Sequence, residues 1–363
     1  MKRLIVVLVV LTCLVNYSFA QIRVSPDNVD RIVTEFMRVD KVPGVAIAIL
    51  QGDSLLYKNT YGISNLELQT PVTTNTVFEL ASVTKQMTAA LIVTLANQGK
   101  LSLEDKISTY IDSIPQGWES ITIRQLLGHM AGLVHSFEPQ VNDSYLLNYS
   151  KTYMLEAAKK IPMKSVPGTD WQYSDQGYFL AGYVAEKATG EVFDSLMIQE
   201  FFKPMGMTNT RFLNQDDIIP NRAAGYIIEN GEYKNNRRQW QFELTPHFGV
   251  MSTIDDMVKY DQGITRGIIN EKVFEEITTP NRIFFNDNGH QYSSGLGWVI
   301  HDFDNRRIVA HTGYTGTVYL KDLKTGLSII ILTNRDENQG TSQHELAKRI
   351  AKEVDKSFPK RYF

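Results

Sequence analysis

The stretch Glu79 to Gly99 reads ELASVTKQMTAALIVTLANQG, and the rest of the chain is organised around it. Ser82 and Lys85 stand three residues apart, close to one helical turn, so both side chains leave the same face with the amine in reach of the hydroxyl. From Met87 the apolar residues are too dense for a one-sided helix, which predicts an element buried on most sides and stopped at Gly99. A serine at the N-terminus of such a helix sits on a rigid mount at the positive end of the helix dipole. A serine hydroxyl attacks a carbonyl only when a neighbouring group takes its proton, and lysine is one group that does so. The same residues also fit an N-cap serine followed by a solvated lysine; their surroundings decide between the two.

On the N-terminal side, Ser25-Pro26 opens a helix with Val29, Ile32, Val33, Phe36 and Met37 along one stripe. After Pro43-Gly44, Val45 to Leu50 and Leu55 to Tyr61 flank the polar tip Gln51-Gly52-Asp53 as a β-hairpin. On the C-terminal side, Ser102-x-x-Asp105 resembles a helix start, Ile121 to Leu127 leads into the turn Gly128 to Gly132, and Gly177 to Ala188 reads as a helix ending near Gly190. Beyond Ser294 the pattern changes to strands at Gly297 to His301, Arg306 to Ala310, Val318 to Asp322 and Leu327 to Thr333, with turns at Asp304-Asn305, Gly313 and Gly326. A last amphipathic helix carries Leu346, Ala347, Ile350, Ala351 and Val354 behind the capping box Ser342-x-x-Glu345. The predicted fold class is α+β: one antiparallel sheet built from both chain ends and flanked by helices, with a mostly helical region inserted between.

The 363 residues, 43% hydrophobic and 21% charged, have an ordinary globular composition. A formal charge of -3 leaves no basic footprint for nucleic acid, so a small-molecule or peptide substrate is the expected partner. Lys2 and Arg3 precede the apolar run Leu4 to Val15, and Ser18-Phe19-Ala20 supplies small residues at the cleavage positions, so residues 1–20 read as a cleaved secretory signal. The apolar run is too short for a comfortable membrane span of about 20 residues. No membrane span is expected once the signal is removed. The expected domains are therefore this signal and one catalytic domain over 21–363, its sheet part about 26–80 and 290–356 and its helical part about 81–289. Cys13, the only cysteine, lies in the leader, so the mature chain has no thiol and no disulfide. Export without disulfides fits a periplasmic or secreted protein of a bacterial-type envelope.

Two further motifs follow in order. Tyr173-Ser174-Asp175 precedes the Gly177 helix, and His311-Thr312-Gly313 stands at a strand end before Tyr314. With Ser82-x-x-Lys85 they resemble the three motifs Ser-x-x-Lys, Tyr-x-Asn and Lys/His-Ser/Thr-Gly of the penicillin-recognising serine hydrolases. That superfamily comprises class C β-lactamases, D-Ala-D-Ala carboxypeptidases, D-aminopeptidases and related esterases. The phrases ITIRQLLGHMAGL (121–133), FFKPMGMTNT (201–210) and GVMSTIDDM (249–257) also look like family hallmarks, and the resemblance spans about residues 26 to 356. It implies the β-lactamase/transpeptidase-like fold and an acyl-enzyme formed on Ser82. It also implies that Lys85 shares the serine proton, with an amine pKa lowered by burial, and that Tyr173 acts as base or acid. The backbone N–H groups of Ser82 and Tyr314 would form an oxyanion hole, with Gly313 letting substrate approach the strand. The implied substrates are D-amino-acid peptides or carboxylic esters. A class C type β-lactamase and a catalytically weak penicillin- or peptidoglycan-binding sensor are the alternatives. No metal or other cofactor is expected: His129 and His135 lack a third ligand at metal spacing, and His344-Glu345 does not complete His-Glu-x-x-His. His129 is expected to brace the turn Gly128 to Gly132. Trp171, Trp240 and Trp298 are candidates for a cleft wall or for packing.

Two positions depart from the pattern. Asp175 stands where asparagine is usual, and an ionised aspartate only accepts hydrogen bonds. It either pairs with Lys85, keeping the lysine protonated and moving the base role towards Tyr173, or turns away and caps the next helix. His311 replaces the lysine typical of β-lactamases, and a mostly neutral imidazole attracts a substrate carboxylate less than an ammonium does.

Overall fold

The computed structural model describes residues 22–136, 147–236, 240–287, 289–303, 305–336 and 343–360. The leader with Cys13, Ser342 of the capping box and the Trp240 side chain lie outside the described residues.

The two chain ends meet at the centre of a nine-stranded sheet. Gly44–Gln51 pairs antiparallel with Leu327–Thr333, placing Ile47 opposite Ile331, and with Ser54–Asn65 on its other side. From there the sheet runs outward through Thr317–Asp322, Arg306–Gly313, Val299–Phe303, His290–Ser294 and Arg282–Asp287, and is closed on the other edge by Thr70–Pro71. Alternation along Gly44–Gln51 divides the core in two. Val45, Ile47 and Ile49 face the terminal helices Pro26–Val39 and Gln343–Val354, where they meet Val29, Phe36, Leu346 and Ile350. Ala46, Ala48 and Leu50 face the other layer, which contains the helix Thr84–Asn97. That helix is buried from Thr84 through Val93, as its all-round apolar pattern requires.

The sheet extends further back than the sequence pattern indicates. Arg282–Asp287 and His290–Ser294 form an edge hairpin around Gly289, whose φ of 76° suits a glycine turn. Its outer strand is largely exposed, and its short run Ile283-Phe284-Phe285 sits between charged and polar residues, so it lacks the longer apolar run that marks the inner strands buried on both faces. Ser102-x-x-Asp105 also proves to be a turn, not a helix start: the Asp105 carboxylate accepts from the Ser102 N–H at 2.8 Å, and Asp105 N–H donates to the Ser102 carbonyl at 3.0 Å. The side chain captures the backbone locally in place of starting a helix.

Candidate active site

Ser82 lies in the single tight turn Ala81–Val83 that leads into the helix Thr84–Asn97. Ala81, immediately before it, has φ of 47°, a left-handed conformation that costs an L-residue about 1–2 kcal/mol and needs outside support. The support comes from two later segments. Thr315 and Thr317 hydroxyls donate to the carbonyls of Glu79 (2.6 Å) and Leu80 (2.8 Å). Leu80 N–H donates to the Val250 carbonyl at 2.9 Å, and Val250 N–H to Thr84 Oγ1 at 3.1 Å. Gly313 is required where the strand reaches this turn, because a Cβ there would stand 2.3 Å from the Leu80 carbonyl oxygen and 2.1 Å from Thr317 Oγ1. The strand end carrying His311, Thr312 and Gly313 is thereby laid against the Ser82 turn, with Tyr314 half exposed beyond it.

Lys85 is wholly buried, and its Nζ has three oxygen neighbours: Ser82 Oγ at 3.1 Å, the His247 carbonyl at 2.8 Å and Asp175 Oδ1 at 2.6 Å. An ammonium has three protons to donate, so this surrounding fits the charged form. Nζ also stands 4.9 Å from the centre of the Tyr173 ring. Burial pushes the lysine pKa down, but the Asp175 carboxylate and the Tyr173 phenol together outweigh it and hold the amine above its ordinary value. Burial alone would lower this pKa; the Asp175 carboxylate beside the amine reverses the sign, which is the ion-pair alternative of the two weighed for Asp175. Burial works against Asp175 as well, yet the Lys85 charge keeps its carboxyl below the usual range. Tyr173 faces both Ser82 and Lys85; burial raises its phenol pKa, and the lysine charge offsets part of that rise.

Asp175 is the first residue of the helix Asp175–Thr189, but the cap is Ser174, whose Oγ accepts from Gly177 N–H at 2.9 Å. This frees the Asp175 side chain for Lys85. The Tyr173 to Asp175 segment hangs on the loop His129 to His135. Ser174 N–H donates to His129 Nδ1 at 3.0 Å, Gln172 N–H to the His129 carbonyl at 2.8 Å, and Ser174 Oγ to the Val134 carbonyl at 2.7 Å. The His129 ring lies 4.6 Å from the Tyr173 ring. His129 thus holds the segment that carries Tyr173, a larger part than bracing its own turn. Because Nδ1 accepts, the ring is neutral, in keeping with a pKa pushed far down by burial and by Lys85.

His311 is buried, with Nδ1 2.7 Å from the Thr312 carbonyl. A carbonyl only accepts, so Nδ1 carries the hydrogen and Nε2 of the neutral ring is left as an acceptor. Burial and then Lys85 bring its pKa down to about 4, so at pH 7 it is uncharged. The structure thus gathers Ser82, Lys85, Tyr173 and Asp175 with the strand end His311 to Gly313. Sequence reasoning missed His247, which acts through its main-chain carbonyl and so leaves no side-chain signature, and His135, whose Nε2 lies 3.6 Å from Asp175 Oδ2. Trp298 belongs to the core, against Tyr319 and Phe274, whereas half-buried Trp171 stands beside Tyr173.

Residues 29–352 match the protein-family model described as Beta-lactamase. The chain belongs to the β-lactamase family. This β-lactamase-family chain is therefore a serine hydrolase by class. It is 27% identical over 313 residues to penicillin-binding protein 4* of Bacillus subtilis, covering 79% of this chain and 67% of that one. Two solved structures share its fold. The D-amino acid amidase of Ochrobactrum anthropi SV3 superimposes with a TM-score of 0.76 at 20% identity, over 92% of this chain and 100% of the amidase. EstCE1, a hydrolase with promiscuous acyltransferase activity, does so with a TM-score of 0.76 at 18% identity, over 90% and 97%. Among the described residues of the β-lactamase-family chain, no helix is long and apolar enough to cross a membrane, and no three His, Cys, Asp or Glu side chains gather to hold a metal ion.

Proposed function

We propose that this chain is an exported serine hydrolase that forms an acyl-enzyme on Ser82 and acts on D-amino-acid peptides or carboxylic esters. The observation that carries the reading is the placement of Ser82 Oγ 3.1 Å from a fully buried Lys85 Nζ, with Tyr173 facing both. The similarity to a penicillin-binding protein supports a peptide-type acyl donor, and the fold shared with an amidase and a hydrolase with promiscuous acyltransferase activity is compatible with either substrate. Tyr173 first gives up its proton to solvent, its phenolate being stabilised by the Lys85 ammonium; Ser82 Oγ then bonds to the carbonyl carbon as its proton passes to that phenolate. Lys85 is the weaker candidate for that proton, because its charged amine already donates to Ser82 Oγ and the His247 carbonyl and is paired with Asp175. Backbone N–H groups of Ser82 and Tyr314 bind the developing oxyanion, and the C–N or C–O bond then breaks as the leaving group takes the proton from Tyr173. Water hydrolyses the acyl-enzyme by the reverse proton route.

The test is covalent labelling of the mature protein with a fluorophosphonate or a fluorescent penicillin, followed by peptide mass mapping. The adduct is expected on the peptide containing Ser82, with turnover of a p-nitrophenyl ester or a D-amino-acid amide. No adduct there, and no turnover of ester, peptide or nitrocefin, would leave a non-catalytic binding protein as the better reading.

The ion pair also sets a pH dependence. Asp175 raises the pKa of Lys85 and of Tyr173, so the proton that must leave this cluster is held to higher pH. Asp175→Asn removes the carboxylate, and the ascending limb of kcat/KM against pH is expected to move to lower pH. Superimposable profiles for parent and variant would sink this assignment.

A further inference from the structure

The ionisable groups gathered around Ser82 in the described residues are Lys85, Tyr173, Asp175 and the imidazoles of His129, His135, His247 and His311. Lys85 is the cation among them, and Asp175 Oδ1 lies 2.6 Å from its Nζ. His129 accepts through Nδ1, so it carries no positive charge. His311 donates from Nδ1 to the Thr312 carbonyl and presents a bare acceptor nitrogen at the strand end. His135, at 64% side-chain exposure, sits on the solvent side of Asp175 Oδ2. Asp175 itself is 18% exposed, so the outer part of this carboxylate reaches the surface where substrate arrives. With asparagine at this position the buried ammonium would stand uncompensated and draw in anions; with aspartate its field is cancelled at close range.

Resting on the hydrolase reading above, we propose that the Lys85–Asp175 ion pair makes this an uncharged acyl-transfer cleft, specific for neutral carboxylic esters and amides and discriminating against donors that carry a carboxylate near the scissile bond. The chemistry follows from the acceptors on offer. A substrate carboxylate would meet Asp175 and the bare Nε2 of His311, neither of which donates a hydrogen bond. A neutral ester, amide or hydroxyl group meets no such opposition. Asp175 is on this account a specificity-determining residue as well as the partner of Lys85.

The experiment compares two donors of nearly equal size, p-nitrophenyl methyl adipate and mono-p-nitrophenyl adipate, and reads the ratio of their kcat/KM values. The parent is expected to favour the neutral ester by at least about tenfold, because a carboxylate entering this cleft gives up water and meets acceptors that offer it no hydrogen bond. Asp175→Asn is expected to cut that ratio by about tenfold or more, and Asp175→Glu to keep it. His311→Lys, which adds a cation at the strand end, lowers it independently should Asp175→Asn fail to fold. Repeating the comparison in His135→Gln takes the exposed imidazole out of the balance, and the preference persists. A parent ratio near one, or a ratio unchanged in both Asp175→Asn and His311→Lys, overturns the inference while leaving the hydrolase reading intact. Turnover of neither ester, with no labelling of Ser82, overturns the hydrolase reading and the inference with it. The ratio is read within each variant, so a general loss of activity does not imitate the effect.

Discussion

Ser82→Ala is expected to lower kcat/KM for any ester or D-peptide substrate by at least about a thousandfold, while thermal unfolding stays within about 1 kcal/mol of the parent. The activity loss follows because Ser82 Oγ, held on the Lys85 amine and faced by Tyr173, is the nucleophile of the proposed step. The small stability change follows from what Ser82 Oγ does in the resting protein: it accepts one hydrogen bond from Lys85, whose other two partners, the His247 carbonyl and Asp175, remain. The strained φ at Ala81 is held by Leu80, Thr315 and Thr317, none of which the substitution touches. Steady-state kinetics beside a calorimetric melt check both halves. Residual activity above about a tenth of the parent would remove Ser82 from the nucleophile's place.

Lys85→Met should be costly on both counts. Activity falls by a similar factor because the charge that stabilises a deprotonated Tyr173 is gone. Stability falls too, since Asp175 is left as a mostly buried carboxylate without its counter-charge. Breaking a buried pair from one side costs about 3–5 kcal/mol, and the partial exposure of Asp175 brings the expectation to about 2–4 kcal/mol. Below neutral pH the deficit shrinks, because the orphaned carboxyl takes up a proton there and ceases to be a buried charge. The discriminating variant is the double Lys85→Met/Asp175→Asn. Urea unfolding should recover most of the lost stability while kcat/KM stays at the single-variant level. Recovery of activity in the double variant would mean that Lys85 serves only to neutralise Asp175, and the proposed chemistry would fail.

Much of this molecule was legible in its sequence for identifiable reasons. The strands at both chain ends read as near-continuous apolar runs, because each buries one face against the terminal helices and the other against the layer of the Ser82 helix. The terminal helices carry narrow apolar stripes, and the Ser82 helix an all-round apolar run, each a direct print of its burial. The hairpin from Arg282 to Ser294 was not legible, because its outer strand is largely exposed and its three apolar residues are consecutive, which gives no period to read. Ser102-x-x-Asp105 misled because the same side chain that caps a helix also closes an isolated turn.

The order and spacing of Ser82-x-x-Lys85, Tyr173-x-Asp175 and His311-Thr312-Gly313 were determined by sequence alone, and with them the family and the residues to gather. What the tertiary structure decided was the state of those residues. The left-handed turn at Ala81 depends on contacts with Thr315, Thr317 and Val250. The charge on Lys85 depends on Asp175, some 90 positions on, and on a main-chain oxygen 162 positions away. The sequence left open whether Asp175 pairs with Lys85 or turns away, and distance decided it: a unit charge at 2.6 Å inside the protein outweighs the loss of water around the ammonium. A residue's type is written in the chain, but its protonation is set by which groups the fold brings within a few ångströms.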